Sequence, residues 1–427
     1  MKNIFLRFSV VFAAIYFFSL NGFGALPNLS VNFLLKNQMG MDPAQMAYFQ
    51  AVTLLAWVIK PLWGLISDCL PISGSRRKSY LILTSVVALV AWLALAGSRN
   101  YTAGILLAMI SVAYMAYAFQ DVVTDGWMIE IGKPQNWTGQ FQSIQWSAVF
   151  VGMILTAFLG GHLADLAQQK VLSYQAIFAV TALFPLLTLL LVLFLVKEPR
   201  RPHPEKEAGA DLKKIFGSRD IWILSSFLFL WNFSPSFGAP FFYYCVDVLK
   251  FSGTFLGYLQ AATSFGALAG SALYGFYIVK IPVRRFLIFA VFAGVCAILF
   301  HGVFFLPGLI ARGLLLKAVA LLSQFLFGLL SSFIFLSLLN LAAKTSPQYA
   351  GGTVFALLMS FYNLGLMGSS ALGGLLYPVL GLKLLLAASA FFSLLVLFLM
   401  PFLPLDEELT GLERALRKLF LRPREAS

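Results

Sequence analysis

Long apolar runs separated by short polar stretches dominate this chain. A helix of about 20 apolar residues crosses the hydrocarbon core of a bilayer. Twelve runs meet that length, at approximately 8–35, 44–66, 79–98, 102–131, 138–164, 174–196, 220–247, 253–279, 285–306, 313–343, 348–379 and 382–403. Several are longer than one span, which implies tilt or extension beyond the bilayer. The least sharp break is 306–316, which holds Pro307, Gly308 and Arg312. Lys2 and Arg7 precede the first run, but no small-residue cleavage site follows and further apolar runs come directly after. That run reads as a spanning helix rather than a signal peptide.

The one sizeable polar segment between helices runs from Glu198 to Arg219 and is rich in Pro, Glu and Lys. It divides the runs into six and six. The expected organisation is a first six-helix half (1–197), a cytoplasmic linker (198–219), a second half (220–403) and a tail (404–427). In the tail, Leu409, Leu412, Leu416, Leu419 and Phe420 share a face opposite basic residues. It reads as an amphipathic helix on the inner membrane surface or as a solvated tail.

Composition narrows the class. The 427 residues are 60% hydrophobic and 11% charged, with a mean hydropathy of +0.86. Soluble domains carry roughly a quarter charged residues, so the balance is that of a polytopic membrane protein. The net charge of +13 does not indicate nucleic acid, because the basic residues lie at the ends of apolar runs instead of forming a block. Placing the N-terminus inside puts Lys2, Arg7, Arg76, Arg77, Lys78, Lys133, Lys280, Arg284, Arg285 and Lys344 inside, with the basic residues of linker and tail. The other side keeps Lys36, Arg99, Lys170, Lys250, Arg312, Lys317 and Lys383. By the positive-inside rule both termini are cytoplasmic, and a bacterial-type inner membrane is the expected location.

Cys69, Cys245 and Cys296 stand alone in apolar context, as do His162, His203 and His301. No pair has metal-ligand spacing, so no metal and no cofactor are expected. The chain has no phosphate-binding glycine loop and no catalytic triad, so neither direct ATP drive nor an enzyme is expected. The Asn136-Trp137-Thr138 sequon falls on the expected cytoplasmic side and should be silent.

The halves repeat. Tyr48 to Thr53 (YFQAVT) matches Tyr258 to Thr263 (YLQAAT), and Phe23-Gly24-Ala25 matches Phe237-Gly238-Ala239. Pro134, Gly139, Gly152, Gly160 and Gly161 recur as Pro347, Gly352, Gly365, Gly373 and Gly374 at a constant offset of 213. The expected fold is an all-α membrane protein with twelve transmembrane helices in two six-helix repeats. This is the major facilitator layout, with a solute site between the halves near the midplane.

Two carboxylates stand inside a span. Asp121 and Asp125 lie one turn apart on one face of the fourth helix, in an otherwise apolar run. Charged groups at membrane depth usually face a bundle interior or a wet cavity and mark transport paths. Two carboxylates so close repel when both are ionised, which suits proton coupling or substrate pairing. The plainer alternative places Asp125 near the inner end of the helix, paired with Arg76, Arg77 or Lys60. Lys60 reads as a gate or snorkelling lysine.

The loop between the second and third helices is KPLWGLISDCLPISGSRRKSY, residues 60 to 80. Gly64 allows close helix approach, Asp68 can accept from a facing helix N-terminus, and Arg76 and Arg77 can clamp Glu130 at the end of the fourth helix. These five residues form the expected cytoplasmic gate. The second half keeps Gly275, Arg284 and Arg285 but has Val279 where Asp68 would be.

That loop, QDVVTDGWMIE of the fourth helix, FQSIQW of the fifth and FAVTALFPLLTLL of the sixth together resemble the folate–biopterin transporter family. The similarity runs from Tyr48 to about Leu190 and is weaker in the second half. The family's helix-four pattern falls on Asp121, Asp125 and Glu130, with Gly126-Trp127 departing from it. Muropeptide permeases are similar in the same two places. The resemblance implies proton-driven secondary transport of a pterin- or folate-like small molecule across a lipid bilayer, and a monomer is the expected unit. Polar candidates for such a solute are Asn21, Gln50, Thr53, Gln142, Gln145, Asn232, Gln260, Gln324, Asn340 and Asn363. Trp146, Phe237, Tyr243, Tyr244 and Tyr362 are candidates for stacking. Each amide also serves as an interhelical hydrogen bond. The rivals are another cargo (a muropeptide, a nucleoside-like or an amino-acid-derived solute) and a membrane-embedded enzyme or sensor.

Overall fold

The computed structural model of the protein describes residues 2–23, 25–72, 74–135, 137–198, 217–276, 281–345 and 351–403. Side chains are described at all of these except 2, 3, 21–23, 25, 68, 69, 133, 138, 275, 276, 343–345 and 351–353. The side chains of Asn21 and Asp68, the sequon residues Asn136 and Thr138, Val279, linker residues 199–216 and the tail from 404 therefore lie outside the described residues.

Among the described residues, twelve helical segments follow one another. α1 comprises Lys2–Phe23, Ala25–Phe33 and a π-helical turn, Leu34–Gln38. α2 comprises Pro43–Val58 and Lys60–Cys69. α3 is Lys78–Gly97, α4 Ala103–Gly132, α5 Thr138–Gln168 and α6 Tyr174–Leu195. α7 comprises Arg219–Asn232 and Gly238–Asp247. α8 is Gly253–Phe276, α9 Val283–Phe300 and α10 Gly313–Thr345. A last helical stretch, Gly351–Leu395, is divided at Gly381 into α11 (351–380) and α12 (382–403). Gly381 has φ 65°, a left-handed value that glycine adopts without strain, so the chain reverses there with almost no loop. The architecture is that of a twelve-helix, two-repeat membrane bundle. Large apolar side chains such as Leu314 and Val379 stand exposed on its outside, which a hydrocarbon surround makes favourable.

Local chemistry sets the ends and breaks. Asp42 caps α2 through a reciprocal pair, its Oδ1 accepting from the Gln45 amide at 2.8 Å while Gln45 Oε1 accepts from the Asp42 amide at 3.0 Å. Pro43 at the first helical position is compatible with that start. Pro61 interrupts the same helix at Ile59. A proline has no N–H for the carbonyl four residues back, which here is Trp57. Asn363 of α11 donates to that carbonyl at 3.3 Å. In α7 the unwound residues between Asn232 and Gly238 are bound to α11 instead, with the Ser236 amide on Ser369 O at 2.9 Å and Ser369 Oγ on Ser234 O at 2.5 Å.

The loop joining α2 and α3 leaves from the same face of the bundle as the start of α1 and the end of α6; it carries Arg76 and Arg77 and is termed the basic face. Two buried clusters near that face each stay within one repeat. One joins Phe12, Trp127, Phe141 and Val192 of the first six helices, the other Leu224, Leu287, Leu341 and Leu358 of the last six. A third cluster crosses the repeats at the opposite face, where Leu29, Phe33 and Ala164 pack with Cys245, Phe251, Leu256, Phe304 and Leu316.

Candidate functional site

The break in α2 decides the position of Lys60. It becomes the first residue of the second piece of that helix, in the middle of the bundle, and its Nζ meets Asp121 Oδ2 of α4 at 2.6 Å. Both side chains are largely buried, 15% and 8% exposed. The ammonium also lies 4.8 Å from the Trp57 ring centroid. One turn along α4, Asp125 accepts a hydrogen bond of 2.6 Å from the Tyr16 hydroxyl of α1. The two carboxylates thus have different nearest partners, on α2 and α1. This corrects two readings of the sequence. Lys60 does not snorkel outward, because the helix break sets it inside the bundle, where its ion pair is made with Asp121. Asp125 pairs with Tyr16 in place of Arg76, Arg77 or Lys60; Lys60 is held by Asp121 and Arg77 by Glu130.

A cavity of about 480 Å³ opens among α1, α5, α7, α8 and α10. Its walls include Leu29, Phe150, Met153, Phe241, Phe242, Leu256 and Leu259, with Gln260, Thr263, Ser264 and Gln324 as its polar groups, and none of the described residues that line it is charged. Thr263 Oγ1 lies 3.0 Å from Leu259 O and 3.1 Å from Gln324 Oε1, and Ser264 Oγ donates to Gln260 O at 3.0 Å. The hydroxyls are thus occupied within the protein, and the two glutamine amides are the groups best placed to meet a solute.

Of the polar candidates read from sequence, Gln260 and Gln324 line this cavity. Thr53 donates to Gln50 O at 2.8 Å and Asn232 to Leu228 O at 3.2 Å, both within their own helices. Asn363 serves the α2–α11 contact. Gln145 is buried and its Nε2 has no hydrogen-bond partner among the described residues. Gln50, Gln142 and Asn340 are half-buried and lie off the cavity walls. Trp146 packs edge-on to Phe335 of α10 at 4.9 Å, next to the wall residue Phe150, and Phe335 in turn meets Tyr362 of α11. Tyr243 and Tyr244 lie off the cavity walls, and their hydroxyls donate to Met41 O and Phe304 O at the opposite face. Phe237 packs against His301.

At the basic face Arg77 Nη2 meets Glu130 at 2.6 Å and Nη1 meets Ser67 Oγ at 3.2 Å. Gly126 makes room for that guanidinium: a Cβ there would stand 2.8 Å from Arg77 Nη1. Gly64 faces Val122 across the same α2–α4 contact. Glu198, just beyond α6, accepts from Ser75 Oγ at 2.5 Å and from the amides of Arg76, Arg77 and Lys78 at 3.0, 3.0 and 2.8 Å. A carboxylate on three amides at a helix start is favoured by charge and by the helix dipole. The second repeat uses the inverse arrangement, with Arg284 donating to Met400 O at 3.0 Å and Leu403 O at 3.3 Å at the end of α12. Each of these networks joins helices of one repeat.

The polar contacts between repeats lie mostly toward the opposite face. Asp165, at the end of α5, accepts from the Gly253 and Thr254 amides at the start of α8 at 2.6 and 2.7 Å. Lys36 of α1 pairs with Asp247 of α7 at 2.7 Å. Glycine allows the approach of α5 to α8: a Cβ on Gly161 would stand 2.7 Å from Gly253 O, and one on Gly257 2.5 Å from Ala157 O.

A protein-family model described as the BT1 family matches residues 21–414. The chain belongs to the BT1 family. A folate-biopterin transporter of Synechocystis sp. is 31% identical over 380 residues, covering 86% of this chain and 74% of the relative. A probable folate-biopterin transporter of Arabidopsis thaliana is 26% identical, covering 90% and 91%. Among solved structures, a D-xylose-proton symporter superposes with a TM-score of 0.72 at 15% identity, covering 93% of this chain and 97% of the other. A nucleoside transporter gives 0.68 at 14%, covering 93% and 100%. Both place the chain in the major facilitator fold, and its BT1 relatives are transporters rather than enzymes.

In this BT1 chain several site residues escaped the sequence reading. Tyr16 lies in an apolar run with no periodic mark, and Phe150, Phe241 and Phe242 are among 43 phenylalanines. Asp165 carried a usable signal, an acidic residue four positions after the Gly160-Gly161 pair. Glu198 carried another, a glutamate directly before a proline at the end of an apolar run.

Proposed function

We propose that this protein is a secondary transporter that moves a folate- or pterin-like solute across the membrane by alternating access. The observation that carries the reading is the uncharged aromatic cavity with two glutamine amides, together with a buried Lys60–Asp121 pair in the same bundle. A planar heteroaromatic ring stacks on phenylalanine and exchanges hydrogen bonds with amides. An anionic tail needs a cation, and Lys60 supplies one. Lys60 is held by Asp121, and in this reading a solute carboxylate takes Asp121's place on the ammonium. Protonation of Asp121 releases it. The solute anion and one proton then enter together, and the buried charge stays balanced. Asp125, held by Tyr16, is the second acceptor on the same helix face.

The basic face is the cytoplasmic face in this reading, with both termini inside a bacterial-type inner membrane. The cross-repeat cluster at the opposite face and the separate clusters at the basic face support a state open to the cytoplasm. Arg77, Glu130 and Glu198 hold α2, α3, α4 and α6 as one body, and with Gly64, Arg76 and Asp68 form the cytoplasmic end that rocks against the second repeat. One polypeptide contains both repeats, so the working unit is a monomer.

Reconstituted protein tests the proposal by uptake of labelled folate and biopterin, with and without an imposed pH gradient. Saturable uptake that rises with an inward proton gradient is expected. No saturable uptake of any folate or pterin in either gradient overturns the solute assignment. In Asp121→Asn, counterflow persists while gradient-driven uptake is lost; loss of neither removes Asp121 from the coupling step.

A further inference from the structure

A groove lies on the outside of the bundle, away from the cavity described above. It runs between α1 and α6 at the basic face and has a volume of about 570 Å³. Leu6, Val10, Phe194 and Leu195 form its apolar wall, and Arg7 and Lys197 stand at its edge. The four apolar side chains are exposed, Phe194 at 75%. Arg7 donates to Leu195 O at 3.5 Å, a free carbonyl of the last turn of α6, which holds the guanidinium over the groove. Among the described residues neither Arg7 nor Lys197 forms an ion pair. The nearest carboxylate along the chain, Glu198, is taken up by Ser75 Oγ and the amides at the start of α3. Lys78 adds a third cation to the same helix end, with Nζ on Leu193 O at 3.0 Å.

We infer that this groove binds a phospholipid with an anionic headgroup. The groove lies where two spanning helices reach the membrane surface, so its apolar wall is at acyl-chain depth and its cations at phosphate depth. A soluble anion gains nothing from the four apolar side chains. A zwitterionic lipid also brings a phosphate, but its own cation offsets that charge and leaves the positive charge of Arg7 and Lys197 uncompensated. An anionic lipid answers both features, with its phosphate between Arg7 and Lys197 and a chain along Val10 and Phe194. The bound lipid joins the start of α1 to the end of α6, and so braces the first repeat from the membrane side.

The test uses the full-length protein, delipidated in detergent, titrated with phosphatidylglycerol, phosphatidylcholine and inorganic phosphate. Adducts are read by native mass spectrometry and stability by thermal unfolding. One retained phosphatidylglycerol and a dose-dependent rise in melting temperature are expected, with neither from phosphatidylcholine. Arg7→Gln with Lys197→Gln weakens that binding roughly thirtyfold, from the usual contribution of two basic residues at a lipid surface. Arg7→Lys with Lys197→Arg retains it. Both positions are exposed, so the fold tolerates these changes, and the double variant's melting temperature without lipid controls for that. Equal retention of phosphatidylcholine, an equal shift from inorganic phosphate, or wild-type phosphatidylglycerol binding by the glutamine variant each overturns the proposal. The outcome is independent of which solute is carried.

Discussion

Lys60 shows how one backbone event sets chemistry at the residue scale. The pair it makes with Asp121 takes two charges out of water, and such pairs are strongly destabilised when only one partner is removed, by about 3 to 5 kcal/mol. Lys60→Ala is therefore expected to lower the thermal stability by that order in membrane-mimetic detergent. Adding Asp121→Ala to it should restore much of the loss, because no uncompensated charge remains. Purely additive losses in thermal unfolding would show that the two side chains do not depend on each other. The carboxylates themselves were legible in the sequence, since a charge within an apolar run stands out. Their partners were not. Lys60 is 61 positions from Asp121 and Tyr16 is 109 from Asp125, and no local pattern encodes distances of that kind.

At the scale of elements, small residues and broken helices govern how the pieces meet. The α5–α8 contact depends on Gly161 and Gly257, each of which would push a Cβ into the facing backbone. Backbone cannot move aside as a side-chain end can. Gly257→Ala is expected to separate the helices and to destabilise the protein by about 1 to 3 kcal/mol, as overpacking does, read as a lower melting temperature. An alanine that leaves both stability and transport unchanged would contradict the close approach. The start of α3 depends on Glu198. Glu198→Ala leaves three amides without their acceptor and should reduce stability by about 1 kcal/mol or more, by the usual cap range, with Glu198→Gln milder because one oxygen acceptor remains. The repeated glycines were visible as a register of matches between halves. Which backbone each one meets was decided by packing.

At the scale of the whole molecule, the repeats are joined at the opposite face by the Asp165 cap on α8, the Lys36–Asp247 pair and the buried cluster around Cys245. Alternating access requires these to part. Removing the cap with Asp165→Ala should cost the closed form about 1 kcal/mol, a shift of about fivefold in the ratio of closed to open forms. Cys245 is a native reporter, buried at 3% exposure within that cluster. With Cys69 and Cys296 replaced by serine, its alkylation by an impermeant maleimide added at the opposite face should be faster in Asp165→Ala by about that factor. An unchanged rate would mean that Asp165 caps α8 without holding the repeats together.

The twelve spans, the two repeats and the buried acidic face of α4 follow from the sequence alone. Each rests on composition or on periodicity within one segment, and in a bilayer the backbone must satisfy its own hydrogen bonds, which leaves helices as the economical form. The motifs around Gly64, Arg77 and Glu130 were legible for the same reason, as charges and glycines at the ends of apolar runs. The cavity was not. Its walls come from five helices, and among so many phenylalanines and glutamines only the crossing of those helices selects Phe241, Gln260 and Gln324 from their neighbours. Partner choice was likewise tertiary. Pro61 offers no N–H to the Trp57 carbonyl in any fold, but only the packing of α11 on α2 brings Asn363 to it, and only the resulting break carries Lys60 to Asp121.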